Sequence, residues 1–129
     1  MAYCLNLFFS ERPKDLDSIL VDFGFRLMGT IEPNKDFKVR IKHYSLFDEK
    51  THSRNFEFVY HDGTYGDELT YYRDFIPPNK KIAVIGALVT ISNNLNILVK
   101  QKTFSISRYL RDHYSATLYD PQNKRIITD

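Results

Sequence analysis

The residues from Tyr3 to Phe9 are apolar except for Asn6, a pattern that predicts a buried first strand. Pro13 suits a first helical turn, where its missing N–H costs nothing. Leu16, Ile19, Leu20 and Phe23 follow at the spacing of one helical face, with Lys14, Asp17, Ser18 and Asp22 opposite. A helix over 13–23 is therefore predicted, ended by Gly24 as a left-handed cap. Phe25 to Ile31 reads as a strand running into the turn Glu32-Pro33-Asn34-Lys35. Phe37, Val39 and Ile41 alternate with Lys38, Arg40 and Lys42, which predicts a strand with its basic side in water. Phe56, Phe58 and Tyr60 alternate with Glu57, Val59 and His61 in the same way, and the polar stretch Asp48 to Ser53 between the two reads as a hairpin loop.

Residues 62–80 follow no regular period: Gly63, Gly66, Pro77 and Pro78 interrupt Tyr65, Leu69, Tyr71, Tyr72, Phe75 and Ile76. An irregular stretch of that length in a compact domain is usually functional or mobile. Lys81 to Ile91 reads as a central strand buried on both faces, and Ser92-Asn93-Asn94 as a turn. For 95–100 the pattern allows either a strand or a helix. A second helix is predicted over 104–114, with Ile106, Tyr109, Leu110, His113 and Tyr114 inward and Ser107, Arg108, Arg111 and Asp112 in water. Ala116–Tyr119, the turn Asp120-Pro121-Gln122-Asn123 and Lys124–Thr128 complete the chain. The expected fold is a single α+β domain over 1–129, a mainly antiparallel sheet of about six or seven strands with two helices packed on one face.

The chain has 129 residues, 43% hydrophobic and 26% charged, which excludes a disordered protein. Its formal net charge of +2 is too balanced to point to nucleic acid or an anionic membrane. One cysteine, Cys4, excludes a disulfide framework and fits a reducing compartment. The first residues lack signal-peptide features, and the apolar run Ile82–Ile91 is half a membrane helix. A cytoplasmic location is expected. Charge is nevertheless uneven, with a net of −4 over 57–75 and +5 over 76–129, and nine of the 19 aromatics lie between Tyr44 and Phe75.

Several candidate sites do not survive their own chemistry. Lys81-Ile82-Ala83-Val84-Ile85-Gly86-Ala87 resembles the opening of a dinucleotide site, but Leu88-Val89-Thr90-Ile91 continues the strand where a glycine-rich turn is needed. No cofactor is expected. His43, His52, His61 and His113 lack the local pairing of a metal site. His61 and Asp62 would suit a small hydrolase, yet neighbours on a strand point to opposite faces. Lys38, Arg40 and Lys42, extended by Tyr44 and Arg26, could follow a phosphate backbone, but the wet face of an antiparallel strand explains them better, and nucleic acid is not the expected partner.

The acidic-aromatic stretch is different. Tyr65, Tyr71, Tyr72 and Phe75 offer large contact area, and Asp67, Glu68 and Asp74 among them would steer a basic partner. These seven residues are the expected partner-binding site. The same rings could instead close as a lid over the sheet, which would suit a small-ligand sensor.

Arg108-Tyr109-Leu110-Arg111-Asp112-His113-Tyr114, Ala116–Tyr119 and Asp120-Pro121-Gln122 resemble the C-terminus of small bacterial α+β proteins of the immunity type. The similarity covers about residues 104–123. It implies a non-enzymatic protein that binds and neutralises a toxin, and no site residue carries over with it. The expected partner is another protein with a basic surface, and exposed strand edges leave a homodimer open.

Overall fold

The computed structural model describes residues 2–36, 38–48, 53–62, 82, 84–91 and 97–129. Its elements in chain order are β1 (Ala2–Phe9), α1 (Leu16–Asp22), β2 (Arg26–Ile31), β3 (Arg40–Asp48), β4 (Ser53–Asp62), β5 (Val84–Ile91), α2 (Ile97–Tyr114), β6 (Thr117–Asp120) and β7 (Arg125–Ile127). The seven strands form one antiparallel sheet in the order β2-β3-β4-β5-β1-β6-β7. This is the expected α+β architecture, with β1 drawn into the interior between β5 and β6.

Strand alternation sorts the side chains. Leu5, Leu7, Phe9, Tyr44, Leu46, Phe56, Phe58, Tyr60, Val84, Leu88, Leu118 and Ile127 join Leu16 and Leu20 of α1 and Ile106 and Leu110 of α2 in one core on the helical side. Phe23 meets Tyr109 edge-on at 5.2 Å, and the Tyr114 hydroxyl donates to the Lys14 carbonyl at 2.6 Å, so α2 is tied to the residues flanking α1 at both of its ends. A smaller cluster of Phe8, Ile85 and Tyr119, with Ile82 and Ile126, occupies the opposite face.

Two glycines have specific causes. At Gly24 φ is +102°, its N–H donates to the Val21 carbonyl, and the Phe25 N–H reaches Leu20, the double bond of a Schellman cap. At Gly86 a Cβ would stand 2.8 Å from Cζ of Phe58 and 3.2 Å from Cε2 of Phe9. Gly86 is therefore a core-strand residue under two rings, within a strand that runs on to Ile91.

Some expectations need correction. Helix α1 begins at Leu16 rather than 13, because Asp15 takes a left-handed φ of 62° and the chain turns before the helix starts. Helix α2 begins at Ile97 and runs 18 residues, which settles 97–100 as helix. Its inward positions include Thr103 and Ser107, both fully buried, while Tyr109 is 47% exposed and His113 lies in water, stacked on the Tyr109 ring at 5.7 Å. Small side chains at 103 and 107 suit a helix lying close on the sheet, so size outweighs polarity there.

Strand β3 also has the opposite phase to the one expected. Lys42 pairs across with Tyr60 on the helical side and reaches Asp17 of α1 at 3.6 Å, while Ile41 faces away with His61. The acidic residue on α1 gives Lys42 a reason to point inward. Arg40 meets Glu32 at 3.0 Å and Tyr44 is 2% exposed, so the basic residues form no continuous wet stripe. No described helix is long and apolar enough to cross a membrane.

Candidate functional site

Of the expected binding segment, Tyr65, Asp67, Glu68, Tyr71, Tyr72, Asp74 and Phe75 lie outside the described residues, as do Phe37 and His52. Its root is described. Tyr60 is buried in the core, and burial, helped by Asp62, pushes its phenol up to about 12. Asp62 faces the helical side and meets Arg12 Nε at 3.0 Å. His61 leaves the other face, in register with Ile41 and Ile85. The hydrolytic pair is thus split across the sheet.

Near Asp62 a polar cluster ties α1 to β3 and β4. Asp17 accepts the Tyr44 hydroxyl through Oδ1 and faces the Lys42 ammonium through Oδ2. Pro13, Leu16, Asp17, Lys42, Tyr44 and Tyr60 line a cavity of about 70 Å³ there. A second, shallow groove of about 260 Å³ lies between the helices, against Ile19, Asp22, Phe23 and Tyr109. Both fall below the roughly 300–1,000 Å³ of small-molecule sites. In the polar cluster each acid already faces a base, an arrangement that fastens elements together.

The face turned away from the helices shows a gradient. Its register rows can be followed across the sheet: Ile31, Ile41, His61, Ile85, Phe8 and Thr117 in one, and Gly29, His43, Val59, Ala87, Asn6, Tyr119 and Ile126 in the next. Phe8, Ile85 and Tyr119 are buried, while at the other end Ile31 is 56% exposed. Between them the His43 imidazole stands 3.4 Å from the Glu57 carboxylate.

The two edges of the sheet differ more sharply. Strand β7 has three residues, and Arg111 of α2 donates to the carbonyls of Ile127 and Asp129 at 3.1 and 3.0 Å. Beside it, Gln122 completes the ladder. The register that pairs Asn6 with Tyr119 sets Cys4 opposite Pro121, which has no N–H. The Gln122 side-chain amide takes that place, accepting from the Cys4 N–H at 2.9 Å and donating to its carbonyl at 2.7 Å. Asp120, fully buried, holds this amide and accepts from both amides of the following turn. Burial alone would raise its pKa, but the hydrogen bonds from Asn123 and Gln122 outweigh it and hold the carboxyl below its ordinary value. The Asp120-Pro121-Gln122 segment is therefore a structural clasp. The Cys4 thiol beside it, pushed up to about 11 by burial and by Asp120, stays protonated.

Among the described residues strand β2 has no such cover. All six of its residues are exposed, and Leu27, Met28 and Ile31 show 51, 65 and 56% of their surface. A bulge between Leu27 and Gly29 is its one irregularity. Val21 on α1, just before it in the chain, is 60% exposed. An apolar edge strand with free backbone groups is a template for another strand. The sequence shows the apolar residues of 25–31, but their exposure follows from the strand order, which no local pattern encodes. No protein-family model, curated protein or solved structure matches this chain.

Proposed function

We propose that this chain is a non-enzymatic binding protein that engages another polypeptide by strand addition along β2. The observation that carries this reading is the asymmetry of the edges: β7 is three residues long and covered by Arg111, while β2 presents six exposed residues with three large apolar side chains. An added strand would satisfy the free N–H and C=O groups of β2, and its side chains would cover Leu27 on one face and Ile31 on the other.

In the form that the C-terminal resemblance implies, the partner is a toxin neutralised by occlusion. The segment from Tyr65 to Phe75 supplies a second contact, its carboxylates Asp67, Glu68 and Asp74 drawing in a basic surface while Tyr65, Tyr71, Tyr72 and Phe75 bury against it.

The test uses a partner captured from the native host, purified and titrated against the domain. Replacing Leu27 and Ile31 by Lys should weaken its binding at least about tenfold, from the roughly 1.5–3 kcal/mol each apolar side chain gains on burial, with the melting temperature unchanged. The Asp67→Ala, Glu68→Ala, Asp74→Ala variant should slow association and flatten its salt dependence. An affinity indifferent to the β2 substitutions removes the docking edge, and one indifferent to the triple variant removes the acidic contact.

A further inference from the structure

We infer that the strand that covers β2 is β2 of a second copy of this chain, giving a two-fold dimer with one sheet continuous across both. This inference rests on the reading of β2 as a docking edge and names what occupies it before a partner is met; the partner strand displaces the second copy, since β2 has one open side. The sequence of the edge is Arg26-Leu27-Met28-Gly29-Thr30-Ile31-Glu32, basic at one end and acidic at the other. Antiparallel self-pairing lays the Arg26 end of one copy beside the Glu32 end of the other, twice over, whereas parallel pairing would set like charges together. Arg26 is exposed, and Glu32 keeps 63% of its side chain in water although Arg40 holds its Oε2.

The middle of the edge suits a close neighbour. Nothing lies within 4 Å of the point where a Cβ on Gly29 would stand, which leaves room over the strand for a facing side chain. The bulge at Met28 bends the strand, so the rungs form on either side of it. Because the β7 edge is short and covered, pairing through β2 uses the open edge and the assembly closes at two copies. Six residues a side bury less than the roughly 800 Å² per partner of a standard interface, so the dimer is weak and depends on concentration.

The experiment is sedimentation of the whole chain over about a hundredfold range of concentration. The native chain should pass from monomer to dimer. Arg26→Glu and Glu32→Arg should each raise the dissociation constant about tenfold, since each turns two attractive contacts into repulsive ones. Mixing the two single variants should restore dimerisation, because the acidic-edged copy and the basic-edged copy complement each other at both contacts. Both positions are solvent-exposed, and circular dichroism checks that each variant is folded.

Restoration on mixing supports the inference. A chain monomeric throughout the range overturns it, and so does a dimer that ignores both substitutions. If the chain is monomeric yet a purified partner still needs Leu27 and Ile31, only the identity of the occupant fails. If neither association depends on β2, the docking edge falls with it.

Discussion

Asp120 offers a sharp test of the clasp at the end of the sheet. Its carboxylate, with no exposed surface, accepts four hydrogen bonds: from the backbone and side-chain nitrogens of Gln122 at 2.9 and 2.7 Å, and from those of Asn123 at 3.3 and 2.8 Å. In Asp120→Ala all four donors lose their acceptor. Gln122 and Asn123 are exposed and can turn some of these groups to water, so the cost lies well below four full charged bonds. Loss of the amide's hold on Cys4 adds to it. A destabilisation of about 2–4 kcal/mol follows, a sizeable part of the total for a domain of this size. Urea unfolding followed by circular dichroism measures it, and amide exchange at Cys4 should quicken in parallel.

The sign with pH is also fixed. The folded pKa of Asp120 lies below the ordinary value, so its contribution is fully present above the unfolded value of about 3.9 and is lost as pH falls through the folded one. The stability gap between the native chain and Asp120→Ala should be full at neutral pH and narrow below about pH 4. A loss under about 1 kcal/mol at neutral pH, or a gap that stays constant into acid, would refute the reasoning.

Three further outcomes are expected. Gly86→Ala should cost about 1–3 kcal/mol in the same unfolding assay, since its Cβ meets the Phe58 ring at 2.8 Å, and Phe58→Leu should recover part of the loss. Ser107→Ala should stabilise the domain by about 1 kcal/mol, because the Ser107 hydroxyl is buried without a hydrogen-bond partner among the described residues and Ala favours the helix; a loss of stability would mean that the hydroxyl is satisfied. Cys4, with its pKa near 11, should resist a thiol reagent at pH 8 in the folded chain and react at once on unfolding.

Much of this architecture is legible in the residue pattern. The period of Leu16, Ile19, Leu20 and Phe23 finds α1, Gly24 marks its end, and the alternation at Phe56, Phe58 and Tyr60 gives the inward face of β4. The start of α1 was hidden by the local backbone turn at Asp15, but the misreadings of which way side chains point share another origin, contacts between residues far apart. Lys42 looks solvent-facing until Asp17 is placed beside it, and Ser107 looks solvent-facing until the helix is seen to lie close on the sheet. Gln122 shows nothing in sequence of its part as a substitute rung, which depends on the register of β1 with β6. The β2 edge was hidden for the same reason. Leu27, Met28 and Ile31 read as ordinary strand residues, and only the strand order leaves them uncovered.

The place of β1 between β5 and β6 has a consequence for how the protein is made. Strand β1 is made ahead of both its neighbours, meeting β5 only after residues 84–91 and β6 only after residues 117–120 have been synthesised, and the Cys4–Gln122 contact spans 118 positions. At about 5–20 residues per second, its apolar side chains wait for several seconds without a sheet to join. Such distant pairings also slow the refolding of the finished chain, toward the millisecond-to-second range of sheet-dominated domains. Insertion of β1 is therefore a late event, completed once β6 has emerged, whereas β2, β3 and β4 can pair in turn as they are made.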